Sequence, residues 1–182
     1  TFTLTASTEI KVLTVKNDTV DASVANSLNG DTIIDQGGND TINATLNADL
    51  ANTTTIQGVE NININWDAFS NPIINADKIE GATITLTSSK LGYLGDANVA
   101  AAGNNNVVAG AGIKGALKVT GVTTGNVNAA NAKTVTVDAK NGTTDDSTTV
   151  TAGATTTTMT VGNTTAFDNA TVIAGAATTD IT

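Results

Sequence analysis

The fold is decided by the stretch Gly30-Asp31-Thr32-Ile33-Ile34-Asp35-Gln36-Gly37-Gly38-Asn39-Asp40-Thr41-Ile42, in which an aspartate is twice followed by Thr-Ile. The two copies begin at Asp31 and Asp40, nine residues apart, and a related copy begins at Asp18. Nine residues is the period of the glycine-rich, Asp-bearing nonapeptide that winds a parallel β-roll around calcium. The stretch therefore predicts short parallel strands that are separated by cation-binding turns.

Each residue type in this stretch has a physical reason to be there. Glycine permits backbone conformations that are closed to residues with a Cβ, aspartate supplies hard anionic oxygen, and Thr-Ile forms a short strand. Calcium suits such a site better than magnesium, which demands a tighter octahedron, and the absence of His and Cys disfavours zinc and copper. The candidate calcium ligands are Asp18, Asp21, Asp31, Asp35 and Asp40.

The rest of the chain also favours β-structure. Residues 58–65 alternate apolar and polar side chains, which predicts a half-buried strand. Later in the chain, short β-like motifs recur between Gly- and Asn-rich turns, for example Thr83-Ile84-Thr85-Leu86-Thr87 and Thr134-Val135-Thr136-Val137. Aromatic residues make up only 3% of the chain, which is typical of a solenoid rather than a sandwich core. We expect an all-β, right-handed parallel β-helix or β-solenoid, with a β-sandwich as the alternative.

Composition divides the chain into three parts. Residues 1–65 hold the calcium-binding, β-roll-like start, 66–81 form a connecting loop with the single Trp and Pro, and 82–182 continue as a Thr- and Gly-rich solenoid. Helical periodicity is weak, and the one plausible helical turn is 45–51, where Leu46 and Leu50 would share a face.

Charge and missing residue types exclude several functions. There are 17 acidic and 8 basic residues, for a net charge of −9, so neither nucleic acid nor an anionic membrane is an expected partner. No apolar run is long enough for membrane insertion. Without Cys there are no disulfides, and without His no Ser or Thr nucleophile has its usual base, so we expect a protein that is not an enzyme. Because the chain opens without Met or a signal peptide, we read it as a segment of a longer protein.

The first third of the chain resembles RTX-type bacterial surface-layer (S-layer) proteins, which type I secretion exports in Gram-negative bacteria such as relatives of Campylobacter and Caulobacter. The resemblance rests on the run from Phe2 through the aspartate words to Val59-Glu60-Asn61-Ile62. It implies a structural module that lies on the bacterial cell surface, binds Ca²⁺ and self-associates through calcium into a lattice, beside neighbouring domains of its parent chain. The sequence departs from the full nonapeptide at Asn39, which replaces a glycine, so few calcium ions are expected.

Two other functions are open to the same sequence. A passive stalk or adhesin segment of a large RTX surface protein differs from a lattice module mainly in whether copies contact one another. Ice binding is less favoured, because Thr-x-Thr words must lie in register on successive coils and their spacings along this sequence are irregular.

Overall fold

A computed structural model describes residues 1–90, 95–141, 145–162 and 165–182 of the chain. In these ranges the chain forms strands and turns without a helix, and no helix there could span a membrane. The strands are β1 (Phe2–Thr3), β2 (Ile10–Val12), β3 (Thr19–Ala22), β4 (Thr32–Ile34), β5 (Thr41–Leu46), β6 (Thr55–Gln57), β7 (Asn61–Trp66), β8 (Ile73–Asn75), β9 (Ile79–Glu80), β10 (Thr83–Thr87), β11 (Ala97–Ala100), β12 (Asn106–Ala109), β13 (Ala116–Val122), β14 (Val127–Ala129), β15 (Thr134–Ala139), β16 (Ser147–Ala152), β17 (Thr158–Val161), β18 (Asn169–Ile173) and β19 (Asp180–Ile181).

The strands form three sheets, and every pairing between them is parallel. Sheet A has nine strands in the order β1-β3-β5-β7-β10-β12-β14-β16-β18, sheet B has four in the order β2-β4-β6-β9, and sheet C has six in the order β19-β17-β15-β13-β11-β8. Within each sheet, strands pair with strands of neighbouring coils, so the chain is a parallel β-solenoid of about eight turns. The predicted solenoid is confirmed and the sandwich alternative is wrong, while the right-handed winding stays a prediction.

The core is a set of apolar columns inside the stack. In sheet A the paired residues Val20, Ile42, Ile62, Ile84 and Val107 are all fully buried, and their sequence separations are 22, 20, 22 and 23 residues. Burial alternates along β5, β7 and β10, because successive side chains of a strand point to opposite faces. Aliphatic side chains stacked in register therefore make up most of the core, and Trp66 is its one large buried aromatic residue in the described part of the chain.

The segment 66–81, expected as a connecting loop, belongs to the solenoid. Trp66 ends β7 and is buried, with its indole Nε1–H donating to the carbonyl oxygen of Ser70 at 2.6 Å. Further along, β8 is the outermost strand of sheet C and β9 the outermost strand of sheet B. The change in composition here therefore marks the place where the stack passes from sheet B to sheet C.

The helical turn expected at 45–51 does not form. Leu46 ends β5, and Leu50 makes an isolated parallel bridge to Ile74. Both leucines are fully buried, because two extended segments on either side of a bend direct them into the same core. Their four-residue spacing reflects this corner of the coil and not a helix.

Candidate metal centre

Acidic residues stack at the corner that leads into sheet A. Asp18, Asp40 and Glu60 each precede a strand of that sheet, namely β3, β5 and β7. The backbone N–H of Asp18 donates to Asp40 Oδ1 at 2.6 Å, and the N–H of Asp40 donates to Glu60 Oε2 at 2.6 Å. Asp40 and Glu60 therefore each accept a hydrogen bond from the backbone of the previous coil, and these two bonds form a ladder that links three successive coils.

Asp35 joins this ladder from the end of β4. The turn that follows it carries Gly37, whose N–H donates to Asp35 Oδ2 at 2.6 Å, and Gly38, whose φ is +131°. A Cβ on Gly38 would lie 2.7 Å from the carbonyl carbon and oxygen of Lys16, so only glycine lets this turn rest on the previous coil. The turn thereby holds the Asp35 carboxyl group beside that of Asp40. We call Asp35, Asp40 and Glu60 the carboxylate corner.

Two oxygens of the carboxylate corner are buried without a partner. Asp40 is fully buried, and neither its Oδ2 nor Asp35 Oδ1 has a hydrogen-bond partner. Burial, a hydrogen bond between the protonated Asp40 and the Asp35 carboxyl group, and the charges of Asp35 and Glu60 together raise the pKa of Asp40 to about 6. The hydrogen bond from the backbone N–H of Asp18 opposes this shift. Two like charges in a desolvated place oppose folding unless a proton or a cation neutralises them.

A second acidic corner leads into sheet B and contains its own cation. The N–H of Glu9 donates to Asp31 Oδ1 at 2.7 Å, so the coil-to-coil hydrogen bond is the same as at Asp40. Here, however, the Lys11 ammonium lies 2.7 Å from Glu9 Oε2. The ion pair with Lys11 and a hydrogen bond from Thr5 lower the pKa of Glu9 to about 2. We call Glu9, Lys11 and Asp31 the lysine corner.

Asp31 at the lysine corner keeps one unpartnered oxygen. Its side chain is fully buried, and Oδ2 has no hydrogen-bond partner. Burial raises the pKa of this carboxyl group, and the negative charge of Glu9 adds to the shift, while the N–H of Glu9 and the charge of Lys11 oppose it.

The two remaining predicted ligands have local partners. Asp18 Oδ2 accepts from the N–H of Thr14 at 2.9 Å and from its hydroxyl at 2.6 Å, which lowers the pKa of Asp18. Asp21 lies in β3 on the outer side of sheet A, where its hydrogen bonds with Ser23 lower its pKa. The five predicted aspartates therefore fall at three places, and of these Asp35 and Asp40 have adjacent carboxyl groups.

The acids that stack on successive coils are not nine residues apart, as the nonapeptide period would suggest. Nine residues lead from Asp31 at one corner to Asp40 at the next corner of the same coil, whereas Asp18 and Asp40 stack at a separation of 22. The sequence prediction missed Glu9 and Glu60, which lie 22 residues before Asp31 and 20 after Asp40. An available signal was that Glu60-Asn61-Ile62 follows the same acid-polar-Ile pattern as Asp40-Thr41-Ile42.

The donor set of the carboxylate corner suits a hard cation. Among the described residues, no group of three or more His, Cys, Asp or Glu side chains is arranged to hold a metal ion by itself. The corner supplies the adjacent carboxyl groups of Asp35 and Asp40, each with one free oxygen. Calcium takes six to eight oxygens in flexible geometry, so backbone carbonyls and water would complete its shell.

Grooves elsewhere on the described surface are shallow. One of about 300 Å³ lies over the end of sheet B, and Asp77, Glu80 and Lys140 are among the residues that line it. The chain has no His or Cys to act beside these groups. The groove therefore has no imidazole or thiol group, although it does contain carboxylates and an ammonium group.

Comparison of the chain with protein-family models, curated proteins and solved structures finds no match. Fold and site together define a class: a parallel β-solenoid with paired carboxyl groups at one corner of its first coils.

Proposed function

We propose that this chain is a structural, non-enzymatic module of a secreted bacterial surface-layer protein, and that calcium stabilises it. The observation that carries the proposal is the pair of buried, unpartnered oxygens at the carboxylate corner, Asp40 Oδ2 and Asp35 Oδ1. A cation between these carboxylates would remove their repulsion and give both oxygens a ligand. The coils would then depend on calcium for their full stability.

The chemistry of the chain supports calcium outside the cell. Extracellular calcium modules bind with a Kd of about 0.1–1 mM, so such a site is filled outside the cell and empty in the cytosol. A net charge of −9 favours divalent cations in the surroundings, and a chain without cysteine cannot use disulfides for stability. The resemblance to RTX surface-layer proteins agrees with the cell surface as its location.

Assembly is the second part of the proposal. Calcium that bridges carboxylates on adjacent copies would offset their repulsion and allow a lattice. An elongated solenoid equally suits a passive stalk or adhesin, in which copies do not touch. Light scattering during a calcium titration of the chain, followed by electron microscopy, separates the two. Ordered sheets or oligomers would support the lattice, whereas a chain that stays monomeric throughout the titration would support the stalk or adhesin.

The calcium site is tested by thermal unfolding in calcium and in chelator. With 10 mM calcium and the Kd above, the gain is about 1.4–2.7 kcal/mol, or roughly 3–10 °C in the unfolding midpoint for a chain of this size. Asp40→Asn should remove most of this gain, because it takes one charge from the corner. Asp31→Asn is the matched control, a buried acid with the same coil-to-coil hydrogen bond, and should keep the gain. Equal midpoints of the unmodified chain in both buffers contradict the proposal.

A further inference from the structure

The outer face of sheet A carries a regular grid of short polar side chains. Three neighbouring strands, β5, β7 and β10, contribute three outward residues each, and the strand register aligns them in rows. All nine are threonine or asparagine. We call them the Thr/Asn grid: Thr41, Asn43 and Thr45; Asn61, Asn63 and Asn65; Thr83, Thr85 and Thr87.

Part of the pattern continues along the sheet, although Val108 and Ile173 occupy outward positions of β12 and β18. The first column of the grid extends through Asn106 of β12 to Thr149 and Thr171 of β16 and β18, which are aligned with each other. On the outward positions of β3, β5, β7, β10, β12, β14, β16 and β18, Asp21 is the only charged residue. By contrast, Lys118 lies on an outward position of sheet C. A chain of net charge −9 therefore has one long face that is almost free of charge.

Hydrogen bonds between coils fix several side chains of the grid. Asn63 Nδ2 donates to Asn43 Oδ1 at 2.9 Å, and the Thr87 hydroxyl donates to the carbonyl oxygen of Ile64 at 3.2 Å. The grid residue Asn61 also donates a hydrogen bond from its Nδ2 to Oδ1 of Asn39, which lies just outside the grid, at 2.8 Å. β-branched threonine also has few rotamers. The face is therefore ordered before any ligand arrives, which lowers the entropic cost of binding.

The spacing of the grid is close to that of crystalline water. Strands lie about 4.8 Å apart, so equivalent side chains on successive coils repeat at that distance. Hydrogen-bonded oxygens lie about 2.75 Å apart, and tetrahedral geometry then separates second neighbours by about 4.5 Å. Charged side chains would orient water around themselves, but the grid has none. It also has no Trp, Tyr or Arg, the residues that dominate binding at protein interfaces.

We infer that the outer face of sheet A, centred on the Thr/Asn grid, binds the surface of ice. The inference goes beyond the proposed structural role and uses a different face from the two acidic corners. The irregular spacing of the threonine words is no obstacle, because strands that are 20, 22 or 23 residues apart still pair in register. Loops of different length at the corners absorb the difference.

The test measures thermal hysteresis and inhibition of ice recrystallisation in calcium-containing buffer over a protein concentration series. The unmodified chain should show both. Thr85→Lys places a charge within the grid and should reduce both at least tenfold. Thr134→Lys is the matched control, an outward threonine on β15 of sheet C, and should leave both unchanged.

Circular dichroism and the calcium response of unfolding accompany these measurements. No hysteresis from a folded chain, or equal hysteresis in both lysine variants and the unmodified chain, overturns the inference and leaves the calcium proposal intact. Sedimentation is run in parallel. If the chain forms a dimer that Thr85→Lys dissociates, and shows no hysteresis, the face binds a second copy and the ice inference is likewise overturned.

Discussion

The carboxylate corner and the lysine corner share the Asp-Thr-Ile motif and one hydrogen-bond pattern, but the negative charge of the aspartate is compensated differently at each. In both, a buried aspartate before a Thr-Ile strand accepts the backbone N–H of an acid one coil earlier, at 2.6 Å for Asp40 and 2.7 Å for Asp31. In both, the second oxygen of the aspartate has no partner. The lysine corner holds Lys11 against Glu9, whereas no ammonium group of the described residues forms an ion pair with Asp35 or Asp40.

The lysine corner therefore has a counter-ion that belongs to the chain, whereas the carboxylate corner needs one from solution. A lysine on the chain is present whether or not calcium is, so the stability of the lysine corner should not follow the calcium concentration. The carboxylate corner instead has a second carboxyl group, that of Asp35, beside the carboxyl group of Asp40. Its stability should therefore follow the calcium concentration and the pH.

The largest effect is expected from Gly38→Ala in the turn of the carboxylate corner. A Cβ there meets the Lys16 backbone at 2.7 Å, whereas one on Gly37, with nearly the same φ of +130°, meets nothing within 4 Å. Both variants strain the backbone, but the clash should make Gly38→Ala less stable than Gly37→Ala by roughly 1–3 kcal/mol, as in overpacked sites. Chemical denaturation in calcium measures the difference. Equal stabilities would show that the close stacking of this turn is unimportant.

An intermediate effect is expected from pH in calcium-free buffer. The pKa of Asp40 is about 6 in the folded chain, against about 3.9 unfolded, so the folded state binds more protons between these values. Stability from this group is therefore gained as pH falls from about 6 to about 4. Glu9 acts in the opposite sense, because its lowered pKa makes the chain lose stability below about pH 4.

The thermal unfolding midpoint should accordingly rise by a few degrees between pH 7 and pH 5 and fall below pH 4. Protonation also reduces the net negative charge of the whole chain, which Asp40→Asn controls for. The rise should be smaller in Asp40→Asn than in the unmodified chain. Parallel pH profiles for the two proteins would contradict the assignment to Asp40.

The smallest effect is expected from Lys11→Met at the lysine corner. Removal of a partly exposed ion pair should cost less than about 1 kcal/mol in chelator. The corner then has two acids without a counter-ion, so the stability gained on adding calcium should increase. Lys118→Met, on an outward position of sheet C away from both corners, is the control and should leave the calcium gain unchanged. An unchanged gain in Lys11→Met would mean that Lys11 does not replace a cation.

The sequence alone determined the β character of the chain and the identity of its acidic turns. Alternation over 58–65 predicted a strand, and β7 covers Asn61–Trp66. The aspartate words also lie where a strand begins, before β3, β4 and β5. These features follow from local chemistry, since alternating burial and turn-forming residues act over a few neighbours.

The contacts between residues of different coils depend on the tertiary structure. Asp40 is bonded to residues 22 before and 20 after it, Lys11 is paired with Glu9 and not with Asp40, and Leu46 and Leu50 share a core without a helix. Because the loops differ in length, the regular strand register of sheet A cannot be seen as a fixed repeat in the sequence. The physical reason is that parallel coils pair residues about twenty positions apart. This pairing depends on the packing of the whole stack, and local sequence preferences carry no information about that packing.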